Sequence, residues 1–168
     1  MHAANGTGLP DQKAEVGRMI ERAGAVLPDD ARQAALTRLD ALPDGDAICH
    51  GDMHPGNVLL TPRRAVVIDW MTASAGSPAG DVARTLFLLR DSGLPEYMPR
   101  AQRSLTALAR RRFCSVYLRS YRRLRPLDLD EVGAWRHPIV AARLAEGIGA
   151  ERAALQGIIR RELQPAIP

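Results

Sequence analysis

Two short apolar runs, Asn57-Val58-Leu59-Leu60-Thr61 and Ala65-Val66-Val67-Ile68, are separated only by Pro62-Arg63-Arg64, and this spacing constrains the chain more than any other feature. Runs of that length and β-branched content, joined by a Pro-led polar turn, read as two strands of one hairpin. An antiparallel pairing places the start of the first strand beside the end of the second. Asn57 and Asp69 therefore come to the same end of the ribbon, near Asp52. Hard oxygen donors gathered at one point suit Mg²⁺, which keeps several waters and takes substrate phosphates as further ligands.

The loop feeding the hairpin is His50-Gly51-Asp52-Met53-His54-Pro55-Gly56-Asn57, and the strand after it ends in Ile68-Asp69-Trp70. In kinase-type phosphoryl transfer an Asp on a loop accepts the proton of the attacking hydroxyl. An Asn five residues on holds Mg²⁺, and a second Asp after a following strand binds Mg²⁺ bridging the nucleotide phosphates. Asp52, Asn57 and Asp69 occupy that spacing. A lone Asp or Asn in a turn more commonly closes an Asx-turn or caps a helix. Three at this spacing point to a catalytic centre.

These residues resemble the aminoglycoside phosphotransferase and choline-kinase-like branch of the protein-kinase fold, in which His-Gly-Asp stands where protein kinases have His-Arg-Asp. Ile68-Asp69-Trp70 takes the place of Asp-Phe-Gly, and Gly76-Ser77-Pro78-Ala79-Gly80-Asp81-Val82-Ala83-Arg84 is similar to the stretch in which an Asp opens a helix beneath the catalytic loop. The resemblance runs from about Ala47 to Leu89. It implies transfer of the γ-phosphoryl of ATP or GTP to a small-molecule hydroxyl, aminoglycoside-like or another alcohol. Asp52 would be the base, and Asn57 and Asp69 the Mg²⁺ and nucleotide ligands. His54 stands where protein kinases carry a Lys that touches the phosphate. His50 is expected to anchor the loop through its ring nitrogens, and Asp81 to accept loop N–H groups or cap its own helix. His50, Asp52 and His54 at alternate positions also admit a zinc reading.

The remaining sequence reads as helix, so the expected fold is mainly α with a small β-hairpin (α+β), the C-terminal lobe of the kinase-like fold. Residues 1–45 form a helical lead-in, 46–70 the catalytic loop and metal-binding hairpin, and 80–168 a helical substrate subdomain, all within one domain. In the lead-in Val16, Ile20, Ala23 and Leu27 recur at helical spacing, as do Ala35, Leu39 and Leu42, with Pro28-Asp29-Asp30 as stop and N-cap. The strands, Gly-rich cover and strand Lys of an N-terminal nucleotide lobe are not among the 49 residues before His50, so that β lobe is expected to be absent. The chain then reads as a natural short form, a truncated product or a fragment. Its single lysine, Lys13, heads a helical pattern, and Asn5-Gly6-Thr7-Gly8 lacks the flanking strands of a phosphate-binding loop. A catalytically incomplete lobe, acting as a ligand-binding or partner-dependent module, is the alternative. A partner or self-association would then cover an apolar face where the missing lobe would sit.

Beyond Asp81, Gly93-Leu94-Pro95 and Arg125-Pro126-Leu127 read as breaks, and Asp128 or Asp130 caps a helix that Pro138 is expected to kink or split. A last helix covers about Ala150 to Leu163. Since helices after the metal-binding Asp build the acceptor pocket in the resembling family, Asp128, Asp130, Glu131 and Trp135 are candidate substrate contacts, against capping acids and a core Trp as the plainer reading. Arginines crowd Arg110-Arg111-Arg112 and Arg119, Arg122, Arg123 and Arg125, which raises a nucleic-acid hypothesis. Phe113, Val116, Tyr117 and Tyr121 make that stretch an amphipathic helix whose arginines form a solvated outer face. Cys49 and Cys114 are expected to be reduced thiols. With neither a spanning tract nor a signal sequence, the expected location is cytoplasmic, without membrane attachment.

Overall fold

The computed structural model describes residues 1–91, 93 and 98–163. Leu94 and Pro95, read above as part of a break, lie outside the described residues. Helix α1 (Gln12–Arg22) opens on Asp11, whose side chain accepts from the Ala14 N–H. Helix α2 (Asp29–Asp40) opens on Pro28 instead of on either aspartate. Asp29 and Asp30 sit in the first turn, where they complement the positive end of the helix dipole.

The strands are short: β1 (Ala47–Cys49), β2 (Val58–Leu60), β3 (Ala65–Val67) and β4 (Ser74–Gly76). β2 and β3 form the antiparallel hairpin, with Val58 opposite Val67 and Leu60 opposite Ala65. A second antiparallel ladder joins β1 to β4, with Ala47 opposite Gly76. Single bridges tie it to the N-terminal segment, Asn5 to Ala47 and Asp11 to Ala75. This ladder fastens the two ends of the loop-and-hairpin segment together. Gly76 permits the close approach, since a Cβ there would lie 2.4 Å from the Gln12 Cβ.

Helices α3 (Pro78–Arg90), α4 (Arg100–Leu124), α5 (Leu129–Arg143) and α6 (Gly149–Leu163) complete a mainly helical α+β fold. α5 is the central element, packed by α1, α2, α3 and α6. Its Trp135, Val140 and Ala141 are fully buried, against Ile20 and Ala35 from the N-terminal helices and Val82 and Phe87 from α3. Pro138 lies inside α5 without splitting it: the helix runs unbroken to Arg143. Its ring leaves only the carbonyl of Ala134 without an intrahelical donor. On α4 the packing face differs from the sequence expectation. Tyr117, Leu118 and Tyr121 meet the core and Cys114 is buried, whereas Phe113 and Val116 are exposed. Among the described residues no helix is long and apolar enough to cross a membrane.

Candidate active site

The loop between β1 and β2 turns on Gly51, whose φ of 77° is a left-handed conformation that favours glycine. Both peptide groups of Gly51 are held by α3. Its N–H donates to Asp81 Oδ1 at 2.7 Å, and its carbonyl accepts from Arg84 Nε at 3.2 Å. Asp81 and Arg84 are three residues apart and so share a helix face. The flanking residue is fixed as well. The Thr72 hydroxyl donates to the His50 carbonyl at 2.8 Å. His50 is fully buried, its Nδ1 accepts from the Asp52 N–H at 3.2 Å, and its Nε2 donates to the Ile68 carbonyl at 3.0 Å. That pattern assigns the Nε2–H tautomer. With both nitrogens engaged, His50 links the loop to the far strand of the hairpin and has no atom to offer a zinc ion.

Asp52, directly after Gly51, is therefore fixed from two sides. The Asn57 amide Nδ2 donates to the Asp52 carbonyl at 2.8 Å and to its carboxylate Oδ2 at 3.3 Å. His54 Nε2 lies 3.6 Å from the same carboxylate oxygen, while its Nδ1 accepts from the Gly56 N–H and closes the 3₁₀ turn Pro55–Asn57. Asn57 is buried, and its carbonyl accepts from the Ile68 N–H at 3.0 Å, which sets Asp69 at the same end of the ribbon. Asp69 is exposed and has φ 62°, the one non-glycine residue in the left-handed region among those described. Such a backbone costs on the order of 1–3 kcal/mol and concentrates at functional positions. Trp70 beside it packs on His50, with ring centroids 4.7 Å apart. Among the described residues no three His, Cys, Asp or Glu side chains form a ready ligand set. An amide oxygen and one carboxylate instead suit a cation that draws its other ligands from water and phosphate.

Asp81 is 1% exposed. Its second oxygen lies 2.9 Å from His2 Nε2, and His2 Nδ1 lies 2.6 Å from the Tyr121 hydroxyl. The chain start is thus built into the support of the loop, as its sequence gave no reason to expect. Arg84 was legible in principle, because it follows Asp81 by one helical turn. The Asp81 charge also acts on Cys49: burial first, and that carboxylate second, push the thiol up to about 12. Lys13 is spent elsewhere, donating to the Leu42 carbonyl at 2.8 Å and to Asp44 at 3.0 Å.

A cavity of about 1110 Å³ opens beside the loop, lined by Asp52 and His54 on one side and by α1, α3, α4 and α5 on the others. Of the four helical substrate candidates only Trp135 lines it. Trp135 is fully buried, and its indole nitrogen has no hydrogen-bond partner. Asp128 caps α5 by accepting from the Asp130 N–H, Asp130 sits exposed in the first turn, and Glu131 accepts from the Ser77 hydroxyl at 2.5 Å. Asp128 and Glu131 hold the starts of α5 and α3, and none of the three acids lines the cavity.

No curated protein and no solved structure matches the chain. A model of the phosphotransferase enzyme family (APH) does match, over residues 3–127, taking in the loop, the hairpin and α3. With that match across most of its length, the chain belongs to the phosphotransferase enzyme family.

Proposed function

We propose that this chain carries the catalytic centre for transfer of the γ-phosphoryl group of ATP or GTP to a hydroxyl of a small molecule, on the C-terminal lobe of a kinase-like fold. The observation that carries the proposal is the fixed placement of Asp52: braced on α3 through Gly51, bonded by Asn57, and facing a cavity large enough for an acceptor. The Asp52 carboxylate orients the acceptor hydroxyl and takes its proton as the oxygen attacks phosphorus. His54 offers a hydrogen bond on the cavity side of the loop. The Asn57 and Asp69 oxygens are the groups that would hold Mg²⁺. That ion, when bound, neutralises charge on the phosphates. The rest of catalysis is positioning, supplied by the bonds that fix His50, Gly51 and Asp52.

Substitution Asp52→Ala tests the assignment. It removes the base and should lower transfer by several orders of magnitude while Mg-nucleotide binding persists; transfer near the wild-type rate would eliminate it.

A partner-dependent lobe is the second reading, favoured by one observation. The hairpin and the residues after it expose Leu59, Leu60, Trp70 and Met71, with Leu60 84% and Met71 90% exposed. A nucleotide-binding polypeptide or a second copy would cover such side chains. Mixing and sedimentation that show one species at all concentrations, alone and with Mg-ATP, would count against self-association.

A further inference from the structure

We propose that the acceptor is an uncharged, largely apolar alcohol and not a polyamine sugar. The inference rests on the reading of Asp52 as base and concerns what the cavity beside it accepts. Val16, Met19, Leu88, Phe113 and Ile139 contribute apolar side chains to its wall. A polyamine entering such a space needs carboxylates to replace the water its ammonium groups lose. The cavity has five acids, and four are already engaged. Asp81 is bonded by Gly51 and His2. Glu146 pairs with Arg84 at 2.5 Å and also with Arg143. Glu151 binds Arg143 at 2.8 Å and accepts from the Gly93 N–H at 2.8 Å. Glu15, half-exposed, pairs with Arg18. That leaves Asp52, which the transfer itself uses. A polyamine that drew on Glu151 would have to compete with Arg143 for a buried, doubly bonded carboxylate, and the exposed Glu15 offers only a weak, solvent-screened substitute. An apolar alcohol exchanges no charges and buries its carbon skeleton against the wall. Trp135, Ile139, Arg143, Glu146 and Glu151 lie beyond residue 127, where the family match ends.

Calorimetric titration of the full chain with hydrocortisone, an uncharged polyhydroxy steroid, and with tobramycin, a polyamine sugar, tests the proposal. Hydrocortisone should bind saturably and at least about tenfold more tightly than tobramycin. Phe113 is 46% exposed, so F113E should leave the fold intact and weaken hydrocortisone about tenfold, while F113L restores it. Tobramycin binding equal to or tighter than hydrocortisone, no saturable steroid binding, or indifference to F113E would each overturn the proposal. The two readings fail separately. Loss of Mg-nucleotide binding with the steroid preference intact ends the transfer reading, whereas a tobramycin preference with nucleotide binding intact ends the acceptor class alone.

Discussion

Replacing Asp81 by alanine should detach the His50–Asn57 loop from α3 and weaken the whole fold. The carboxylate is 1% exposed and makes two short contacts, 2.7 Å to the Gly51 N–H and 2.9 Å to His2 Nε2. Hydrogen bonds to a buried charged group contribute about 1.5–3 kcal/mol each, so losing both should cost about 3–5 kcal/mol. With a urea dependence of about 2 kcal/mol per molar, the unfolding midpoint of D81A should fall by roughly 1.5–2.5 M. D81N is the informative comparison. It keeps an oxygen for Gly51, and its NH₂ can donate to His2 Nε2 if His2 turns its own proton to Nδ1 and donates to Tyr121. Its loss should be about 1–2 kcal/mol. Urea titration followed by circular dichroism reads both variants. A D81A midpoint within about 0.3 M of wild type, or a D81N loss equal to that of D81A, would show that these contacts do not anchor the loop.

Three further outcomes follow from other positions. Gly51→Ala places a side chain at φ 77° with its Cβ 2.6 Å from the Thr72 carbonyl oxygen, so it should cost more than the roughly 1–2 kcal/mol of a left-handed residue and displace Asp52; unchanged stability by urea titration would contradict this. Burial and the Asp81 charge hold the Cys49 thiol at about 12, above its ordinary value of 9.0, so the stability tied to its neutral form is complete below about pH 9 and is lost as pH rises from there. At pH 8 the folded chain should therefore resist thiol titration at Cys49, and rapid labelling there in the absence of denaturant would refute its burial. Glu151 behaves oppositely: burial alone would raise its pKa, but the Arg143 bond, the Gly93 N–H and nearby arginine charges outweigh it and hold the carboxyl below 4.5. Its contribution is present above that value and fades as acid protonates it, so E151Q should flatten the acid limb of a stability profile below about pH 4.5.

The hairpin and the loop were legible because their signals are local. β-branched runs of strand length around a Pro-led turn leave little choice of pairing, and a register with Val58 opposite Val67 brings Asn57 and Asp69 to one end. The β1–β4 ladder was not legible: Ala47-Ile48-Cys49 and Ser74-Ala75-Gly76 are three residues each, show no alternation, and pair across the whole loop and hairpin between them. His2 gave no signal either, since its role exists only once α3 and α4 bring Asp81 and Tyr121 together. On α4 arginines and apolar residues alternate too closely for apolar spacing to choose a face: Val116 is exposed, and Phe113 lines the open cavity instead of joining the core. Pro138 does not split α5, because a buried helix packed on several sides tolerates one missing hydrogen bond.

The central claim is that Asp69 and Asn57 hold a magnesium nucleotide beside Asp52. Calorimetric titration of the chain with Mg-ATP and Mg-GTP, with Asp69→Asn as control, tests it, because Asn tolerates the left-handed backbone at φ 62° while removing the charge and replacing one acceptor oxygen by an NH₂ donor. Binding should need Mg²⁺ and be lost in the variant while the variant's urea midpoint stays unchanged. Nucleotide binding that is indifferent to both Mg²⁺ and Asp69 would contradict it, as would a folded chain that binds neither nucleotide.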